Sequence, residues 1–71
     1  MSLSELNIGK EGRIVQIHHE NQSMKHRLNG LGIIKGSEIK TINEGLGIKV
    51  YKVKGAHIAL RNEDAAKILI V

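Results

Sequence analysis

The chain has 71 residues, room for one small domain over residues 1–71 and no second. Its 29 hydrophobic residues are mostly Ile, Leu and Val, with Tyr51 the single aromatic and no Cys or Pro. This composition excludes disulfides, thiolate metal sites and cysteine nucleophiles, and it fits a reducing compartment. One aromatic is too few for a base-stacking platform or for the aromatic groove that holds proline-rich peptides. The net charge is +4 and the pI about 9.7, which leaves nucleic acid, an anionic membrane face or an acidic protein as partner classes. The longest apolar run, residues 68–71, is far short of a membrane span. Glu5, Lys10 and Glu11 interrupt the start, which is not expected to be a secretory signal. So short a chain is expected to be marginally stable alone, or helped by a partner or a weak homo-oligomer.

Eight glycines cut the chain into short pieces. Ser2 or Ser4 caps a first helical turn with Leu3 and Leu6 as its apolar pair, and Gly9 ends it. Residues 13–18 carry three β-branched residues, Ile14, Val15 and Ile17, and follow Gly12, a strand pattern. After a polar break at 21–23, Ser23 is the expected N-cap of a helix. Met24, Leu28 and Leu31 recur there at i, i+4 and i+7, and Gly32 stands where a left-handed cap residue belongs. Gly30 weakens that helix in its last turn. A second strand is expected over 37–43, a glycine-rich turn over 44–47 and a third strand from Ile48 to Val53, with Lys49, Lys52 and Lys54 interleaved. In a fourth strand Ile58 and Leu60 share one face, with His57, Ala59 and Arg61 opposite. Asn62 caps one helical turn, and residues 67–71 form a fifth strand, apolar on both parities. The expectation is mainly all-β: a small SH3-like or OB-like five-stranded barrel with a short helical insertion and short terminal helical turns, closed so that no edge is exposed.

No catalytic pattern emerges: no nucleophile elbow, no H-E-x-x-H and no phosphate-binding glycine loop. His18 and His19 are adjacent on a strand and point to opposite faces, and His26 and His57 lie elsewhere. All four are expected as solvated surface residues, with no metal or cofactor site; no carboxylate pairs with one in sequence, and the alternative is that two of them meet in space with Glu20 or Glu44. Lys49, Lys52, Lys54 and Arg61 fall on neighbouring strands, where lysine ordinarily protects edges; a nucleic-acid patch is the disfavoured alternative. Arg27 lies off the apolar face of the helix and is expected to anchor the following turn or, failing that, to face a partner.

Three motifs in register carry a resemblance. Arg27-Leu28-x-x-Leu31-Gly32-x-x-x-Gly36-x-x-Ile39 resembles the R-L-x-x-L-G-x-x-x-G-x-x-[IV] signature of the FeoA family. The opening Ser2-Leu3-Ser4-Glu5-Leu6-x-x-Gly9 and the ending Ile58-Ala59-Leu60-Arg61-x-x-x-Ala65-x-x-Ile68 are similar to that family's start and close. Family members usually carry Pro near position 35 and between the second and third strands, where this chain has Ile34-Lys35-Gly36 and Glu44-Gly45-Leu46-Gly47. The resemblance implies an SH3-like barrel and a small cytoplasmic accessory protein of bacterial ferrous-iron uptake. Its partner would be FeoB, a membrane Fe(II) transporter with a cytoplasmic GTP-binding domain. The same domain closes metal-dependent repressors of the DtxR type, but this chain has no helix-turn-helix.

An iron-system protein without a recognisable iron site is best read as a protein-binding adaptor. Its expected contact patch comprises Arg27, Leu28, Leu31 and Leu46, the last an aliphatic residue at a glycine-rich tip where a polar one is usual. The competing reading, that Leu31 is core, is the favoured one for that residue. Two alternatives stay open: a stand-alone metal-responsive regulatory domain using His18, His26 or His57, and a charge-driven nucleic-acid-binding barrel.

Overall fold

A computed structural model describes residues 1–71. A 3₁₀ turn, Leu3–Glu5, precedes strand β1 (Glu11–Ile17), helix α1 (Gln22–Gly30), strands β2 (Glu38–Gly45), β3 (Ile48–Val53) and β4 (Ala56–Arg61), the short helix α2 (Asn62–Ala65) and strand β5 (Ile68–Ile70). The strands form one antiparallel sheet in the order β4-β3-β2-β1-β5, with irregularities in register at Val15 and at Ile42. Such bulges increase local twist and let a short sheet curl around a core. The fold is the expected SH3-like one, but its ladder does not close. After Arg61 the chain turns into α2 and returns antiparallel to β1, so β4 and β5 end the sheet without pairing to each other.

The local elements follow from their residues. In α1, Leu28 is wholly buried and Met24 partly so, as their spacing requires. The cap is Asn21, not Ser23: its Oδ1 accepts the Met24 N–H at 3.2 Å, so the helix starts two residues earlier than expected. Gly32 has φ +92°, the left-handed conformation that stops a helix. Ser2 rather than Ser4 precedes the 3₁₀ turn, and its N–H donates to the Glu5 carboxylate at 2.9 Å, which holds the Glu5 carboxyl below its ordinary value. Asn62 is the first residue of α2 and not its cap; Arg61 holds that place.

The core contains thirteen buried apolar residues contributed by every element. On β4 the predicted alternation is observed, with Ile58 and Leu60 inward. On β3 the inward set is Lys49, Tyr51 and Val53, while Ile48 and Val50 face outward. Lys49 is therefore no edge-protecting lysine. It lies on a central strand, its stem in the core, and its Nζ donates to the Ser4 carbonyl at 2.6 Å. Thr41 Oγ1 donates to the Leu6 carbonyl at 3.0 Å, and the Tyr51 hydroxyl reaches the Leu3 carbonyl at 3.5 Å. Three polar side chains thus satisfy the carbonyls of the N-terminal turn and fix Leu3 and Leu6 over the core. Burial, more than nearby Glu44, pushes the Tyr51 phenol up to about 12.

In β5, Ile68 and Ile70 are buried and Leu69 half-buried, whereas Val71 is exposed. The double-faced apolar pattern has a local cause. The chain start lies along the outer side of β5, with Ser2 bridging Leu69 and the Ile70 N–H donating to the Met1 carbonyl at 2.8 Å.

Candidate functional site

α1 stands over the far end of the sheet, and a cleft of about 390 Å³ runs between it and β4. Its helical wall is Met24, Arg27, Leu28 and Leu31, one face at i, i+3, i+4 and i+7, so Arg27 shares the face of Met24, Leu28 and Leu31 and does not lie off it as expected. Its floor is β4 from His57 to Arg61, and Asp64 of α2 closes one end. Arg27 is exposed, and its guanidinium has no hydrogen bond or carboxylate partner within the protein; only its carbonyl serves the helix end, accepting the Leu31 N–H at 3.1 Å. The expected side-chain anchoring of the turn by Arg27 is therefore absent. Leu28 has no exposed surface, so it supports the wall from beneath. Leu31 is 38% exposed, partly core and partly surface.

Leu46 is not in this cleft. It stands fully exposed at the tip of the β2–β3 hairpin, with Gly47 at φ +72° making the tight turn that holds it out. The two regions are nevertheless joined. The Asn62 N–H donates to the Gly47 carbonyl at 2.9 Å, and Ile48, 44% exposed, pairs with Arg61 at the end of the cleft.

The histidines divide. His18, His26 and His57 are exposed, the last at the cleft floor. His19 is buried, contrary to expectation. The Asn21 N–H donates to its Nδ1 at 3.2 Å, so the ring hydrogen is on Nε2, which donates to Asp64 Oδ1 at 2.8 Å. This bond holds the Asp64 carboxyl below its ordinary value against the opposing effect of burial, and Arg61 Nε, at 3.5 Å from Oδ2, adds to the lowering. His19 thus links the entry to α1 with α2, across 45 residues of sequence, which spacing rules do not reach. No three His, Cys, Asp or Glu side chains come together in a metal-ligating group.

The basic residues do not form the stripe that nucleic acid would need. Lys49 is buried, and Lys40, Lys52 and Lys54 share their surface with Glu11 and Glu38. No helix is long and apolar enough to cross a membrane.

The fold is that of a small SH3-like domain. The chain belongs to the FeoA family: the FeoA domain model matches residues 1–71. It is thereby linked to ferrous iron transport. Iron(II) transport protein A from Clostridium thermocellum is 30% identical over 99% of this chain and 44% of its own, with a TM-score of 0.88. FeoA from Stenotrophomonas maltophilia, solved with zinc and described as a prokaryotic SH3 domain protein, is 29% identical over 100% of this chain and 89% of its own, with a TM-score of 0.84. FeoA from Chlorobium tepidum is 25% identical over 99% and 68% respectively, with a TM-score of 0.90. A manganese-dependent transcriptional repressor shares the fold at a TM-score of 0.90 and 19% identity, over 40% of its length. No curated protein matches the chain.

Proposed function

We propose that this chain is a protein-binding accessory module that acts, in the cytoplasm, on an FeoB-type ferrous iron transporter. The observation that carries the reading is Leu46, a large aliphatic side chain with its whole surface in water at the tip of a tight hairpin. Packing gives no reason for it there, and a polar residue would be the ordinary choice. Ile48, two residues further on, is exposed as well, and half-exposed Leu31 with unpartnered Arg27 lines the separate cleft. An apolar centre with an arginine beside it is the usual composition of a contact hot spot.

The test is titration of the chain against the isolated cytoplasmic domain of the host's transporter, with and without a GTP analogue, at physiological salt. Saturable one-to-one binding is expected. Leu46→Asp should weaken it about thirtyfold or more, because truncated hot spots cost about 2 kcal/mol or more. Its thermal unfolding should be unchanged, since Leu46 touches no core residue's space. Equal binding by the variant would remove Leu46 from the contact.

A further inference from the structure

β4 has one partner strand, β3, and its other side carries no ladder. Which backbone groups are left over follows from the register. The Asn62 N–H bonds the Gly47 carbonyl, so these two form a hydrogen-bonded pair in continuation of the β3–β4 ladder. Hydrogen-bonded and non-bonded pairs alternate in antiparallel ladders. Leu60 and Ile58 therefore bond to Lys49 and Tyr51, while the N–H groups of His57, Ala59 and Arg61 point away from the sheet. No backbone or side-chain group of this chain accepts from them. They form the floor of the cleft beneath α1.

We infer that this edge is a strand-docking site for an extended acidic peptide segment of the protein partner. Strand addition to a free sheet edge is a recurrent recognition mode in which main-chain bonds supply affinity and flanking pockets supply selectivity. β4 has six residues, about 20 Å at ~3.3 Å each, enough for a comparable length of added strand. Charge complementarity selects the occupant. The cleft holds Arg27 without a carboxylate partner, Arg61 and His57. Glu63 reaches only Arg61, from the exposed side. Asp64 is the cleft's one carboxylate, and His19 and Arg61 already occupy it. A second copy is disfavoured. Each chain carries +4, and an edge-to-edge pair centred on Ala59 would set Arg61 of one copy against His57 of the other.

The inference deepens the accessory-module reading and rests on it for the existence of a protein partner, so the experiment has two arms. In the first, the ¹⁵N-labelled full chain is titrated with a capped alternating Glu/Val/Thr peptide of about eight residues, long enough to span β4. At ten times Kd, the amides of His57, Ala59 and Arg61 should exchange about tenfold more slowly. A Lys/Val/Thr peptide, or the acidic peptide N-methylated on alternate residues, should leave them unchanged. Ala59→Pro removes one free donor without touching the β3 ladder and should abolish the protection. Should that variant not fold, Arg27→Glu should weaken the acidic peptide about tenfold. Slowed exchange elsewhere, no slowing at millimolar peptide, or full binding by the folded variants would overturn the inference. Dimerisation in sedimentation that Ala59→Pro abolishes would also overturn it, making a second copy the occupant.

In the second arm Leu46→Asp and Ala59→Pro are titrated against the transporter's cytoplasmic domain. If Leu46→Asp fails to bind and Ala59→Pro binds normally, the accessory reading stands and the strand-docking inference falls. If the wild type ignores that domain while the peptide protects β4, the edge is a docking site and the transporter is not its user.

Discussion

The sheet has two ends, and the chain treats them differently. At β5 the outer edge is covered by the chain's own start: Met1 accepts the Ile70 N–H, Ser2 bridges Leu69, and Leu3 packs beneath. At β4 no strand follows, and the edge faces a cleft walled by a helix. Exposed edges invite aggregation, so one left open needs protection. Here the overhanging α1 and the charges of Arg27 and Arg61 provide it. The difference is one of satisfaction: one edge is sealed by the chain's own start, and the other leaves its outward donors without acceptors in the chain.

The comparison breaks most sharply if proline is placed on each edge in turn. Ile70→Pro removes the N–H that bonds Met1 and a fully buried side chain together. Its cost should exceed about 3 kcal/mol, enough to unfold a domain of this size in urea well before the wild type. Ile70→Ala is the control for the side chain, and the residual difference reports the edge bond. If the two variants unfold together, Met1 does not seal β5 in solution.

A smaller effect is expected where α2 is tied to the start of α1. Asp64→Ala leaves the buried His19 Nε2–H without an acceptor and should cost about 1–3 kcal/mol. The pH dependence has a definite sign. The folded Asp64 carboxyl titrates below its ordinary 3.8, so its stabilisation is complete above the unfolded value and is lost as pH falls through the folded one. Urea midpoints of the wild type should therefore drop as pH falls below about 4, and Asp64→Asn should flatten that slope. Glu5, lowered in the same way by Ser2, leaves a residual slope in the variant. An unchanged slope in Asp64→Asn would mean that the pair is not formed.

Much of this was legible in the residues, and the failures have physical causes. Period-two alternation placed Ile58 and Leu60 inward, and helical spacing with Gly32 located α1. Two cap-forming residues two positions apart, Asn21 and Ser23, cannot be ranked by propensity alone, and the wrong one was expected. Lys49 was misread by residue type although its parity, shared with Tyr51 and Val53, already placed it inside. The resemblance to FeoA proteins was correct over the whole chain. His19–Asp64 and the open β4 edge were out of reach. Both depend on where α2 sends the last strand, a tertiary fact with no local pattern.

The smallest expected effect sharpens the comparison most. Ala59→Pro deletes a donor that bonds nothing in the free chain, at an outward-facing residue on an edge strand, where proline is tolerated. Its stability should lie within about 0.5 kcal/mol of the wild type, the ordinary range for surface changes away from special features. Amide exchange of the free wild type tests the same geometry without any substitution. Ile58 and Leu60, bonded to β3, should exchange slowly, and His57, Ala59 and Arg61 quickly, an alternation along one strand. On β5 that alternation should be absent, because Ile70 donates to Met1 on the side where β4 has no partner. Uniform protection along β4 would mean that something already covers its edge. The small cost expected for proline at Ala59 would then rise toward that of losing a made hydrogen bond, about 1 kcal/mol.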